Sequence, residues 1–251
     1  MNAIKRQLRI RELLENQEFV DLETLCRELN ASESSIRRDL IQLEQQLILK
    51  RVHGGALAVK TRDHLLDLGW QSKRHAGEKQ RIAKQAASLV EDGQSVILDG
   101  GSTTAAVAVE LAGRFLNIIT NSLAIAEVLK NARQIELTLT GGYLYPRLEI
   151  MLGPLCENML AGVTADVLIM GIGGITEDGF SNNNTLLVGS ERKMIEAART
   201  VIIVADHTKF GKAAMVPLAP LDAADIVVSD TNLSSEKQQM LKSRGIQVLL
   251  A

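Results

Sequence analysis

The chain has 251 residues, 46% apolar but only 3% aromatic, with 28 Lys+Arg against 30 Asp+Glu. That allows one large domain or two smaller ones around an aliphatic core. It excludes a membrane span, which needs roughly 18 consecutive apolar residues, and no apolar run follows Met1-Asn-Ala-Ile-Lys-Arg, so no secretory leader is expected.

Cys26 and Cys156 lie far apart with no Cys-x-x-Cys pattern, and read as reduced thiols of a cytoplasmic protein. His53, His64, His75 and His207 lack metal-ligand spacing, so neither a metal nor a cofactor is expected. Residues 1–62 hold 11 Lys+Arg against 9 Asp+Glu, and the remainder 17 against 21. An imbalance this small does not argue for nucleic acid; only local placement of cations can.

In chain order, Ala3–Asn16 predicts a first helix, with Ile4, Leu8, Leu13 and Leu14 as its apolar stripe. Asn16-Gln-Glu ends it and Phe19-Val20 form an apolar link. Asp21 is a suitable N-cap for a second helix reaching Leu29, with Leu22, Leu25 and Leu29 inward. Asn30-Ala31 make a tight connection, and Ser32 caps a third helix through Glu44 with Ile36, Leu40 and Leu43 on its core side. Two helices joined so closely, the second polar outside, form a helix-turn-helix pattern. Leu47–Val52 and Ala56–Val59, around Gly54-Gly55, predict a hairpin behind it: a wing. Domain boundaries are expected at 1–59 for this head, 60–75 for a linker and 76–251 for the remainder. In the linker, Leu65, Leu66, Leu68 and Trp70 predict packing against something.

Beyond the linker, short aliphatic runs alternate with helices. Helices are expected at Lys79–Val90, after Thr104 to Leu111, after Ser122 to Leu129, at Ser190–Arg199 and at Ser235–Arg244. Strands are expected at Ser95–Leu98, Asn117–Thr120, Ile135–Thr140, Val167–Met170, Val201–Val204, Ile226–Val228 and Val248–Leu250. The alternation implies an α/β fold with a mostly parallel sheet covered on both faces.

Two constellations carry chemistry. On the third helix Arg37 and Arg38 project about 100° apart, and with Ser32, Ser34 and Ser35 they suit phosphates and base edges of double-stranded DNA. Arg51 and His53 on the wing would meet the backbone or minor groove. The plainer reading of the same residues is a solvated helix with i,i+4 pairs such as Glu33–Arg37. The second constellation is the set of strand-end loops: Asp99, Gly100, Gly101, Ser102, Thr103 and Thr104; Thr120, Asn121 and Ser122; Gly141 and Gly142; Gly171 and Gly173; Asp206 and Lys209. Parallel sheets bind ligands outside the carboxyl ends of their strands. Free amides at a helix start hold anions, and a Lys offers a point charge. Together the loops suggest a small phosphorylated, hydroxyl-rich ligand; the plainer reading is tight strand-to-helix turns. Glu191, expected near a helix start, suits either the macrodipole or a ligand hydroxyl. Gly171-Ile-Gly-Gly-Ile-Thr176 fails a dinucleotide fingerprint because Thr176 stands at the third glycine, and no Walker pattern occurs.

Ser32–Leu43 with His53-Gly-Gly-Ala56 resembles the amino-terminal signature of the DeoR family of bacterial transcriptional regulators. Asp99-Gly-Gly-Ser-Thr-Thr104, Thr120-Asn-Ser122, Thr140-Gly-Gly142, Gly171-Ile-Gly-Gly174 and Asp206-His-Thr-Lys-Phe-Gly211 resemble that family's sensor half. The resemblance implies a small winged helix-turn-helix followed by an α/β domain similar to ribose-phosphate isomerase-like folds. It also implies a phosphorylated sugar as effector and repression of sugar-utilisation genes. Where the family often has Gly after the recognition helix this chain has Leu47, and Ser35 stands where Thr is frequent. A homo-oligomer is expected, since helix-turn-helix dimers match palindromic half-sites. The rival reading is a sugar-phosphate isomerase or deaminase with a DNA-binding appendage, whose general base would be Asp99, Glu191 or Asp206.

Overall fold

The computed structural model describes residues 3–17, 19–45, 48–58 and 68–251. Leu47, Val59 and residues 60–67 of the expected linker lie outside them. The chain divides into two compact units, Met1–Leu65 and Leu66–Ala251.

In the first unit, α1 (Ala3–Asn16), α2 (Leu22–Leu29) and α3 (Glu33–Gln45) enclose Ile10, Leu14, Leu25, Leu29, Ile36, Leu40 and Leu43. Half of the expected stripe on α1 is corrected: Leu13 and Leu14 face the core, but Ile4 and Leu8 are exposed and Ile10, one turn before Leu14, is the other buried residue. That rotation turns Arg6 and Gln7 toward the buried Asp39 of α3, which accepts from Arg6 Nε at 2.5 Å and Gln7 Nε2 at 3.2 Å. Asp21 caps α2 as expected, accepting from the Thr24 amide at 2.7 Å, and Asn30 ends it in the left-handed region at φ 44°.

Phe19–Asp21 is not a link but a strand, β1. It pairs with β3 (Gly55–Ala58), which pairs with β2 (Leu49–Val52), all antiparallel. The tight turn is therefore His53-Gly54, not Gly54-Gly55; Gly54 takes φ +84°. Gly55 belongs to the strand, where an added Cβ would stand 2.4 Å from the Val20 carbonyl oxygen.

The second unit begins inside the expected linker with α4 (Leu68–Lys73) and continues into α5 (Ala76–Ala87). Its centre is a seven-stranded, wholly parallel sheet. The strands are β4 (Ser95–Leu98), β5 (Leu116–Thr120), β6 (Ile135–Leu139), β9 (Ala165–Met170), β12 (Ala198–Val204), β14 (Ile226–Ser229) and β15 (Gln247–Leu250), in the order β15-β14-β12-β9-β4-β5-β6. Alternation along the strands feeds two aliphatic layers. Val96, Leu98, Ile169 and Val204 pack with α5, α6 (Ser102–Leu111) and α7 (Leu123–Leu129). Ile97, Leu168, Met170 and Ile203 pack on the other face with α8 (Pro154–Ala161), α9 (Thr185–Ala197) and α10 (Ser235–Lys242).

Two antiparallel additions were not expected: the hairpin β7 (Tyr143–Tyr145) and β8 (Ile150–Leu152), and the sheet β10 (Gly174–Thr176), β11 (Gly179–Asn182) and β13 (Val216–Ala219). Helix α9 also starts five residues before the expected Ser190, with Asn184 capping it by accepting from the Leu186 amide at 2.8 Å. Glu191 is thus in the middle of a helix, and the macrodipole reading of it falls.

Candidate functional sites

On the first unit, Ser34, Arg37 and Arg38 stand exposed on α3, while Ser35 is half-buried. Ser32 precedes the helix, and its hydroxyl bonds those of Ser34 (3.1 Å) and Ser35 (3.0 Å). Arg37 pairs with Glu33 at 2.6 Å, the plain i,i+4 pair, while Arg38 has no partner among the described residues. On the wing, the Arg51 guanidinium meets Glu44 at 2.6 Å, and its backbone amide donates to the same carboxylate at 2.8 Å. His53 is exposed at the hairpin turn. The face therefore presents Arg38 openly, and Arg37 and Arg51 in exposed pairs that cost little to open.

On the second unit, the strand order reverses between β4 and β9, the switch point at which open α/β sheets form a crevice. The Asp99 amide donates to Ile169 O at 3.1 Å, so the loops after β4 and β9 start side by side. Four expected residues make contacts within the fold. The Thr120 hydroxyl donates to Leu98 O at 2.7 Å, Ser122 caps α7 at 3.3 Å, Thr104 closes onto Gly101 O at 3.0 Å, and Gly142 passes so close to β8 that a Cβ would lie 2.6 Å from Leu152 O. Gly141, at φ +71°, has open space beside it.

The remaining residues form two groups of opposite character. The first is cationic. Helix α6 begins at Ser102 and Thr103 without any side-chain cap. Lys79, 7% exposed, donates to Ser102 Oγ at 2.9 Å and to the Gln71 carbonyl. Burial depresses its pKa to about 8 although Asp206 pulls the other way, and Lys209 and Arg74 add positive charge. Lys209, in the turn His207–Lys209, is likewise depressed by burial, opposed by Asp206. Asp206 itself accepts from the Thr208 amide at 3.0 Å. Burial alone would raise it, but the Thr208 bonds, Lys209 and His75 hold it below the usual carboxylate range. His207 is fixed by Asp230 at 2.9 Å.

The second group is acidic. Asp99 and Glu191 are both buried. Burial pushes Asp99 up to about 7 against the amides of Gly100 and Gly171, and drives Glu191 well above the carboxylate range, with Asp99's charge adding to the rise. Asn182 Nδ2 donates to Glu191 Oε1 at 2.5 Å, and its own oxygen sits where a Cβ on Gly173 would be, 2.8 Å away. Asp99 Oδ1, Glu191 Oε2 and both side-chain polar atoms of Asn121 are buried without partners among the described residues. Buried polar groups are normally satisfied, and these four atoms find no partner within the described chain. Lys79 and Asn182 were missed by sequence reasoning. Lys79 lies on an ordinary amphipathic helix and gives no local signal; the Asn182-Asn-Asn184 run before α9 was a visible one.

A winged reading head on one unit and a switch-point polar site on the other define a ligand-responsive transcriptional regulator. The comparisons agree. Residues 6–62 match the DeoR-like helix-turn-helix domain and residues 74–231 the DeoR C terminal sensor domain. The chain belongs to the DeoR family and is a DNA-binding transcriptional regulator. It is 31% identical over its full length to the whole of the HTH-type transcriptional regulator GolR of Listeria innocua. It is 32% identical, again with both chains fully covered, to the Glycerol-3-phosphate regulon repressor of Escherichia coli K12. Among solved structures, ribose 5-phosphate isomerase A from Methanocaldococcus jannaschii aligns with 53% of each chain at 19% identity and a TM-score of 0.39. No helix among the described residues is long and apolar enough to cross a membrane.

Proposed function

We propose that this regulator represses sugar-utilisation genes and is relieved by a phosphorylated sugar. Operator DNA would be read by Ser32, Ser34, Ser35, Arg37, Arg38, Arg51 and His53. The effector's phosphate would sit on the uncapped start of α6 at Ser102, Thr103 and the Gly100-Gly101 turn, between Lys79 and Lys209, and its hydroxyls would meet Asp99, Asn121 and Glu191. One observation carries the effector reading: a buried lysine on the first residue of an uncapped helix at the sheet's switch point. Helix amides and a fixed cation there are what a phosphate needs. The effector acts by binding the DNA-competent and DNA-incompetent states unequally. The protein works in the cytoplasm as a homo-oligomer on two-fold operators, with half-sites a helical turn or its multiples apart.

We read the site as a sensor and not a catalyst, because relatives matching along the whole chain carry the names of regulators and repressors. A thermal-shift panel of sugar phosphates tests the effector reading: at least one raises the melting temperature of the native protein by mass action and releases operator DNA in an anisotropy assay. No shift with any phosphorylated sugar overturns it, and turnover of a pentose or amino-sugar phosphate overturns the sensor reading.

A further inference from the structure

The two halves of the ligand site differ in a way that bears on which molecules can enter. Around Ser102 lie Lys79, Lys209 and Arg74. On Asp99, three residues earlier on the same loop, no cation among the described residues acts. Besides burial, the charge on Asp99 acts on Glu191 and meets the amides of Gly100 and Gly171, and that on Glu191 meets Asp99 and the Asn182 amide; no cation enters either set. The Cys156 thiol, beside Thr140 and Ser190, also feels Asp99. It is uncharged, with its pKa raised by burial. The acidic end therefore has no means of neutralising an incoming anion.

It does have the means to read hydroxyls. Asp99 Oδ1 and Glu191 Oε2 are open acceptors, and Asn121 offers an open amide donor and acceptor, all fully desolvated. The Asn121 oxygen stands 3.3 Å from where a Cβ on Gly100 would be, beside Asp99. Two carboxyl groups whose charges repel favour a shared proton, and a third negative charge beside them would be repelled by both with no cation to offset it.

Building on the phosphorylated-sugar reading, we infer that the effector carries negative charge at one end only: the site selects monophosphates whose far end is uncharged and hydroxyl-bearing, and excludes bisphosphates and phosphorylated sugar acids. Asp99 and Glu191 are the residues that set this exclusion, and Asn121 is the amide that reads the hydroxyls between them.

The test is calorimetric, on the full chain at pH 8, with three matched pairs: glycerol 3-phosphate against 3-phosphoglycerate, glucose 6-phosphate against 6-phosphogluconate, and fructose 6-phosphate against fructose 1,6-bisphosphate. The best-binding monophosphate should exceed its doubly anionic partner by at least tenfold in affinity, and E191Q or D99N should narrow that ratio severalfold. A partner that binds as tightly as its monophosphate in the parent protein overturns the inference whether or not the variants fold. So does a ratio unchanged in both variants when their melts show them folded. If a doubly anionic member binds and no monophosphate does, the exclusion fails while the phosphorylated-sugar reading stands; if none of the six binds or shifts the melt, that reading falls and takes the exclusion with it.

Discussion

The reading head and the ligand site handle charge in opposite ways. On α3 and the wing the ion pairs lie at the surface, Glu33 with Arg37 within the helix and Glu44 of the helix with Arg51 of the wing. Such pairs contribute little and are screened by salt, so they open readily when a polyanion arrives. In the sheet unit, Lys79, Asp99 and Glu191 are buried, and one oxygen of each carboxyl is unmet among the described residues. Those groups are already buried by the chain itself, so much of the cost of desolvation falls on folding and not on binding. Surface charge suits a long, variable partner met by many weak contacts; buried charge suits one small partner recognised by shape and sign.

The strongest way to break the contrast is D99N. A carboxyl whose folded pKa is raised holds its proton more tightly in the native state, so its contribution to stability is greatest in acid and declines as pH rises from about 4 to about 7. Removing the charge at pH 8 should add on the order of 3 kcal/mol, with a smaller gain at pH 5 and almost none at pH 3.5. Denaturant melts across that range check it, and a gain independent of pH would show that Asp99 is not strained by its charge.

Next comes D39A in the head. Asp39 is the one buried acid among the described residues there, and its loss removes the carboxylate that Arg6 and Gln7 share. We expect a loss of about 3 kcal/mol from the first unit's transition, read by amide exchange in α1 and α3; a loss under about 0.5 kcal/mol would make the pair equivalent to a surface one. K79Q should weaken monophosphate binding by roughly tenfold or more, the scale of a lost charge-assisted bond, without altering operator affinity in the absence of ligand. R38A should weaken operator binding by about 1–3 kcal/mol and reduce the salt slope by about 1 if its partner is a phosphate. The smallest effect is E33A: releasing Arg37 should change head stability by only about 0.3 kcal/mol while strengthening DNA binding, seen as a lower dissociation constant at low salt.

Much of this was legible from residue patterns. The bounds of α1 and β4 match expectation, as do the Asp21 cap and the parallel strands. These elements declare themselves through local periodicity and capping chemistry. The first half of α9 did not. Thr185-Leu-Leu-Val-Gly189 holds a glycine and an aliphatic run that look strand-like, and only packing against α8 and β13 makes it helical. Misplacing that start made Glu191 look like an exposed helix-end acid. The short antiparallel strands were also hidden, because three- and four-residue pieces carry too little alternation to stand out. Of the effector-site residues, the switch-point loops were visible as Gly, Ser, Thr and Asp at strand ends. Whether each side chain faces the crevice or braces the turn was not: Asn121 and Thr120 are neighbours in sequence, yet one is left open and the other is spent on Leu98. Burial of Lys79 depends on how α4, just before it, and α6, beyond the next strand, fold back onto it, and has no local signature.

The double hold of Glu44 on Arg51, through backbone amide and guanidinium, ties the wing's first strand to the last turns of α3. A carboxylate gripping both main chain and side chain fixes the strand's register as well as its distance. The outward residues of α3 take no part in that grip. If the outward residues read the operator as proposed, exchanging Ser34, Arg37 and Arg38 would rewrite sequence preference without the hairpin having to be refitted. Alphabet and spelling would be separable in this head: the fastening stays, and the letters can be changed.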